Sequence, residues 1–146
     1  MAVPGKVTAL LALLARLALG LTFVAAGLLK LRDPAAFADA IARYHLVSGH
    51  WPSVLAVVLP PLELLCGTAV LLRRAHLGAL ALAGAMSLVF AAGLGSAWWR
   101  GLDLACGCFG AAGAPHGEIP FAFFRALGLA ALAFALLRHA RRRAGT

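Results

Sequence analysis

Four runs of about twenty apolar residues, more than the core of so short a chain can hide, constrain everything else about this sequence. They cover roughly Val7–Leu29, Val54–Leu72, Leu77–Trp98 and Ile119–Leu137. A helix needs ~20 predominantly apolar residues to cross the hydrocarbon core of a bilayer. Hydrophobic residues make up 63% of the 146 and charged residues 12%, against ~45–50% and ~25% in soluble domains. With mean hydropathy at +0.94, the expected fold is all-α. It is an integral membrane four-helix bundle forming one domain over 1–146, with no room for a separate globular enzyme. The first run follows Lys6, and Ala25-Ala26-Gly27 resembles a cleavage site. Arg16 interrupts its centre, however, and it exceeds the ~7–15-residue apolar region of a signal peptide, so a retained helix is expected.

The formal charge of +8 does not point to nucleic acid, because no basic surface is interleaved with stacking aromatics. The basic residues instead flank the apolar runs. Four spans put Lys6, Arg73, Arg74, Arg138, Arg141, Arg142 and Arg143 on one side and Lys30, Arg32, Arg43 and Arg100 on the other. Lys/Arg excess marks the cytoplasmic side, so both termini are expected there. Tyr44, Trp51, Trp98, Trp99, Phe121, Phe123 and Phe124 cluster toward the other face, as an interfacial aromatic belt does. Two loops then face outward, Lys30–Ser53 and Trp99–Glu118.

The first of these loops contains its own helix signal. Asp33 followed by Pro34 reads as an N-cap with proline at the first helical position. Phe37, Ile41 and Tyr44 then recur at helical spacing, which predicts a short interfacial helix. In the second span, Pro60 and Pro61 withhold amide donors from the carbonyls of Ala56 and Val57, so a kink is expected.

Arg16, Glu63 and Arg125 fall within spans. Each costs at least ~2.5–3.5 kcal/mol at a helix centre, so they should turn inward and pair. Counting ~1.5 Å per residue, Arg16 and Glu63 come out at nearly the same depth, with Arg125 about 6 Å nearer the outer face. One reading is a structural ion pair that orders the helices. The other is a polar pocket, supported by Lys30, able to hold an anionic group or to favour a thiolate.

The second outer loop carries Cys106-Gly107-Cys108. Two thiols one residue apart close only a very small ring, with glycine relaxing the backbone between them. Such a disulfide is strained and easily reduced, as catalytic or regulatory disulfides tend to be. An extracytoplasmic position suits that chemistry. Two other readings stay open. A metal half-site completed by His116 or His45 is one, although zinc sites usually space their cysteines by ~2–4 residues. Incidental buried thiols are the other. Cys66, three residues after Glu63 in the second span, reads as packing.

Taken together, Arg16 followed by Gly27-x-x-Lys30, the Leu59-Pro60-x-Leu62-Glu63-Leu64 stretch, Cys106-Gly107-Cys108-Phe109-Gly110 and Arg125 resemble the methylamine-utilisation protein MauE family, within the DoxX-like four-helix membrane proteins. The resemblance covers nearly the whole chain. It implies a small bacterial inner-membrane protein. In the namesake setting such a protein matures the disulfide-rich small subunit of methylamine dehydrogenase beside a thioredoxin-like partner. The expected activity is thiol–disulfide exchange at Cys106 and Cys108, backed by a pocket of Arg16, Lys30, Glu63 and Arg125. No cofactor signature is present; a membrane quinone is a candidate electron acceptor, and no metal is expected. The rival is a non-redox assembly or small-solute transport component with structural cysteines.

Overall fold

The computed structural model describes residues 4–73, 76–102 and 119–144, all of them helical or in short connections between helices. Five helices follow one another: α1 (Pro4–Arg32), α2 (Pro34–Arg43), α3 (Trp51–Leu72), α4 (His76–Trp99) and α5 (Ile119–Ala144). All but α2 are long and apolar enough to cross a membrane. Large aliphatic side chains such as Leu14, Val57, Leu65 and Val89 lie exposed along their outer faces. A bilayer, unlike water, accepts that surface.

α1 runs three residues past its expected end at Leu29 and stops at Asp33-Pro34. A residue before proline is disfavoured in helical geometry, and Asp33 sits at φ −144°, ψ 80°. Its Oδ1 accepts a hydrogen bond from the Ala36 amide at 2.9 Å, and its carbonyl accepts from Phe37. The N-cap expected from sequence is present, and it turns the chain directly from α1 into α2. Phe37 is buried and Tyr44 half-buried, so the apolar face of α2 folds onto α3. α3 continues unbroken through Pro60 and Pro61 and ends at Arg73 in left-handed geometry, φ 57°.

The four long helices associate as two antiparallel pairs, α1 with α3 and α4 with α5; contact between the pairs is sparser. In lipid no hydrophobic force draws helices together, so close backbone approach through small residues matters most. On α1, a Cβ at Gly27 would meet the Pro60 carbonyl oxygen at 2.9 Å. On α3, a Cβ at Gly67 would meet the Gly20 carbonyl oxygen at 2.8 Å. The α4–α5 pair instead seats rings on glycines, Phe134 against Gly84 and Phe123 against Gly95. One buried cluster (Leu19, Val70, Leu80, Leu136) fills the half near the α3–α4 turn. A second (Leu94, Ala97, Ile119, Ala122) fills the half near α2.

A candidate functional site between the helix pairs

The site arises where the two pairs meet. Lys30 projects from the last turn of α1 into the bundle, and its Nζ donates to Glu63 Oε1 of α3 at 2.5 Å. The two side chains are 2% and 5% exposed. This corrects the sequence reading twice. Lys30 belongs to the bundle interior, not to the outer loop, and the carboxylate takes Lys30 rather than Arg16. The register of α1 on α3 explains it. Gly20 lies against Gly67 and Leu71, and Gly27 against Pro60 and Leu64, so Glu63 lies level with about Ala26. Arg16 is then ten residues away along α1, about 15 Å. It is half-buried, its Nη1 has no hydrogen-bond partner, and its principal charged neighbour is Arg73.

Two aromatic rings complete the ammonium's surroundings. Lys30 Nζ lies 5.0 Å from the Phe37 centroid and 4.5 Å from that of Phe90, inside the ~6 Å range of cation–π attraction. Sealed from water, this ion pair is held by one carboxylate contact and two ring faces. Glu63 Oε2 has no donor among the described residues. It adjoins a small cavity of about 60 Å³ in the seam between α1 and α5, where Thr22, Ser87 and Arg125 also contribute to the wall. The structure therefore brings together three of the four expected pocket residues, Lys30, Glu63 and Arg125, and leaves Arg16 outside. Ser87 and Phe90 were missed from sequence. A serine amid the apolar run of α4 was a usable sign, since a polar side chain at membrane depth seeks an interior position.

On the opposite side, the seam between α3 and α4 opens into a groove of about 480 Å³ roofed by α2. Its wall is almost wholly apolar, with Phe37, Ile41 and Tyr44 from above and Leu59, Met86 and Phe90 along the sides. Phe90 borders both spaces. At the α2 end of the bundle Arg100 ties α2 to the end of α4: its Nη2 donates to the Tyr44 carbonyl at 2.5 Å and its Nε to the Ser96 carbonyl at 3.1 Å. Trp98, Phe123 and Phe124 form a ring cluster at that same end, with centroids 5.5–6.3 Å apart.

Cys106 and Cys108, with His116, lie outside the described residues. What the structure places is the attachment of their segment, which follows Leu102, three residues past the end of α4, and precedes Ile119, both at the α2 end. Cys66 is buried in the cluster near the α3–α4 turn and its thiol donates to the Ala79 carbonyl at 3.2 Å, in keeping with a packing role. Among the described residues no three His, Cys, Asp or Glu side chains gather as a metal site.

Residues 8–138 match the family described as methylamine utilisation protein MauE. The chain belongs to the MauE family. The match runs from the first turns of α1 to the late part of α5, so it takes in the ion pair, both cavities and the cysteine-bearing connection. No curated protein and no solved structure matches the chain. Four apolar spans in a MauE-family chain describe a multi-pass membrane protein associated with methylamine utilisation.

Proposed function

We propose that this MauE-family protein carries out thiol–disulfide exchange on the outer side of a bacterial inner membrane, with both termini cytoplasmic and a thioredoxin-like protein as its partner. Cys106 and Cys108 are the exchanging pair. A thiolate of the reduced partner attacks one sulfur of the Cys106–Cys108 disulfide, giving a mixed disulfide and a free thiolate. The partner's second thiol then attacks the mixed disulfide and releases both cysteines as a dithiol, so two electrons and two protons pass from partner to membrane protein. Lys30, Glu63 and Arg125 line one polar cavity in the bundle and shape the pocket that supports the exchange. Maturation of a disulfide-rich extracytoplasmic protein is the role this exchange serves, and a DoxX-like ancestry fits the four-helix architecture.

The observation that carries the proposal is the Cys-Gly-Cys pair in a MauE-family chain, on a segment whose two ends meet the bundle beside α2 and the aromatic cluster. Single Cys106→Ser and Cys108→Ser variants test it. One of them should accumulate a mixed disulfide with the partner, seen as a reductant-sensitive band in non-reducing gels. Full function in the host of a double serine variant would overturn it. The polar cavity at Lys30, Glu63 and Arg125 supports a second reading, a solute-binding component with structural cysteines; that outcome would favour it.

A further inference from the structure

We propose that the groove between α3 and α4, roofed by α2, binds a lipid-soluble quinone that takes electrons from the reduced cysteine pair. The inference rests on the thiol-exchange reading and names the acceptor that reading needs. The chain has three cysteines. Once Cys106 and Cys108 are reduced, the remaining thiol, Cys66, is a single group held in the packed cluster near the α3–α4 turn with its hydrogen bonded to the Ala79 carbonyl. One buried thiol cannot form a relay disulfide, so two electrons must leave to a separate molecule. A quinone closes the balance. Two S–H bonds break and one S–S bond forms, while the quinone gains two electrons and two protons and becomes a quinol.

The groove suits that molecule in size, wall and position. Its volume of about 480 Å³ falls within the ~300–1,000 Å³ of small-molecule sites. Phe37, Tyr44 and Phe90 supply aromatic faces for a flat head. The aliphatic walls along α3 and α4, including exposed Leu82 and Val89, continue toward the lipid and suit an apolar tail. Lys30, paired with Glu63, stands directly behind the Phe37 and Phe90 rings, so the groove's aromatic wall is backed by a polar pair. At the α2 end, Tyr44 lines the groove and packs in the same cluster as Leu102. Leu102 is four residues before Cys106, so the groove opens where the cysteine-bearing segment is anchored.

Groove-filling variants test the site without disturbing the core. Ala85 is exposed to the groove, and a Cβ at Gly93 would make only ordinary contact, 3.7 Å from Leu46. The double variant Ala85→Leu/Gly93→Leu narrows the groove, while Ala92→Leu, exposed outside it, serves as a control. The first measurement uses the full chain in lipid nanodiscs with both outer cysteines changed to serine. Photolabelling by an azido-quinone should map to α2, α3 and α4 and be displaced by a decyl-quinone. Displacement should weaken about tenfold in the groove-filled variant, corresponding to ~1.4 kcal/mol, and be unaltered by Ala92→Leu. The second measurement mixes reduced wild-type protein with the decyl-quinone and follows quinol formation by absorbance. Quinol should form in wild type and fail to form in the groove-filled variant. Labelling that ignores the groove substitutions, or that phospholipid acyl chains displace equally well, overturns the quinone site even where exchange with the partner proceeds normally. Specific labelling without quinol formation overturns the groove quinone as the electron acceptor, while mixed-disulfide trapping with the single serine variants decides the thiol-exchange reading separately.

Discussion

The Lys30 ammonium reaches Glu63 across α1 and α3 because Gly27 seats α1 directly on the Pro60 carbonyl, setting the two charges at one level of the bundle. Both side chains are sealed from water, and two ring faces share the cation. A buried pair of this kind costs desolvation to form, but breaking it leaves an uncompensated charge.

Removing one partner should therefore cost more than removing both. Lys30→Met is expected to lower stability by about 3–5 kcal/mol, seen as an early unfolding midpoint in a thiol-reactive dye melt of the detergent-solubilised protein. The Lys30→Met/Glu63→Gln double variant should recover at least half of that loss. Arg16→Gln combined with Glu63→Gln should give no such recovery, since Arg16 lies about 15 Å away along α1. Rescue by the Arg16 change would show that the α1–α3 register is wrong.

The glycine contacts predict a contrast within one helix type. Gly67→Ala places a methyl 2.8 Å from the Gly20 carbonyl oxygen, whereas a Cβ at Gly78 or Gly128 meets nothing within 4 Å. Overpacking costs of about 1–3 kcal/mol are expected at Gly67. Gly78→Ala and Gly128→Ala should be neutral or slightly stabilising, because alanine favours helix. Equal melting temperatures for all three would remove the close α1–α3 crossing.

For α2, the Asp33 cap can be tested by itself. Asp33→Ala removes the acceptor for the Ala36 amide and should destabilise the first turn by about 0.5–2 kcal/mol. Amide exchange across Pro34–Arg43 should accelerate while α1 and α3 keep their protection. Unchanged exchange in α2 would mean that packing on α3 alone holds it.

Thiol accessibility separates the three cysteines. Cys66, buried against Ala79, should label poorly with a maleimide in membranes before and after mild reductant. Cys106 and Cys108 should label strongly only after reductant, since a small-ring disulfide reduces readily. Labelling of both without reductant shows that no disulfide was present.

The charge distribution predicts the orientation: seven Lys/Arg flank the spans on the side of the α3–α4 turn and, with Lys30 inside the bundle, three (Arg32, Arg43 and Arg100) remain on the other. An alkaline-phosphatase fusion after Gly110 should be active and one after Arg74 inactive. The opposite pattern would put the thiols in a reducing compartment.

Span number and the helix after Asp33 were legible before any coordinates, and Lys30, Glu63 and Arg125, grouped from sequence, line one cavity. Apolar run lengths answer to bilayer thickness, and a cap is a contact between residues three apart. Both are local properties of the chain. The partner of Glu63 was not legible, because depth was counted from the ends of apolar runs, and α1 outruns its apolar stretch to end at Arg32. Which residues of α1 lie level with which of α3 depends on where two backbones approach most closely. That point is set by Gly20, Gly27 and Gly67 acting together, and no count of hydrophobic residues contains it. The same holds for the groove, a space between helices that pair elsewhere. Composition and local pattern thus settle that four helices are long and apolar enough to cross a membrane. Interhelical packing settles which charge meets which, because in lipid that choice is made by backbone proximity and not by burial.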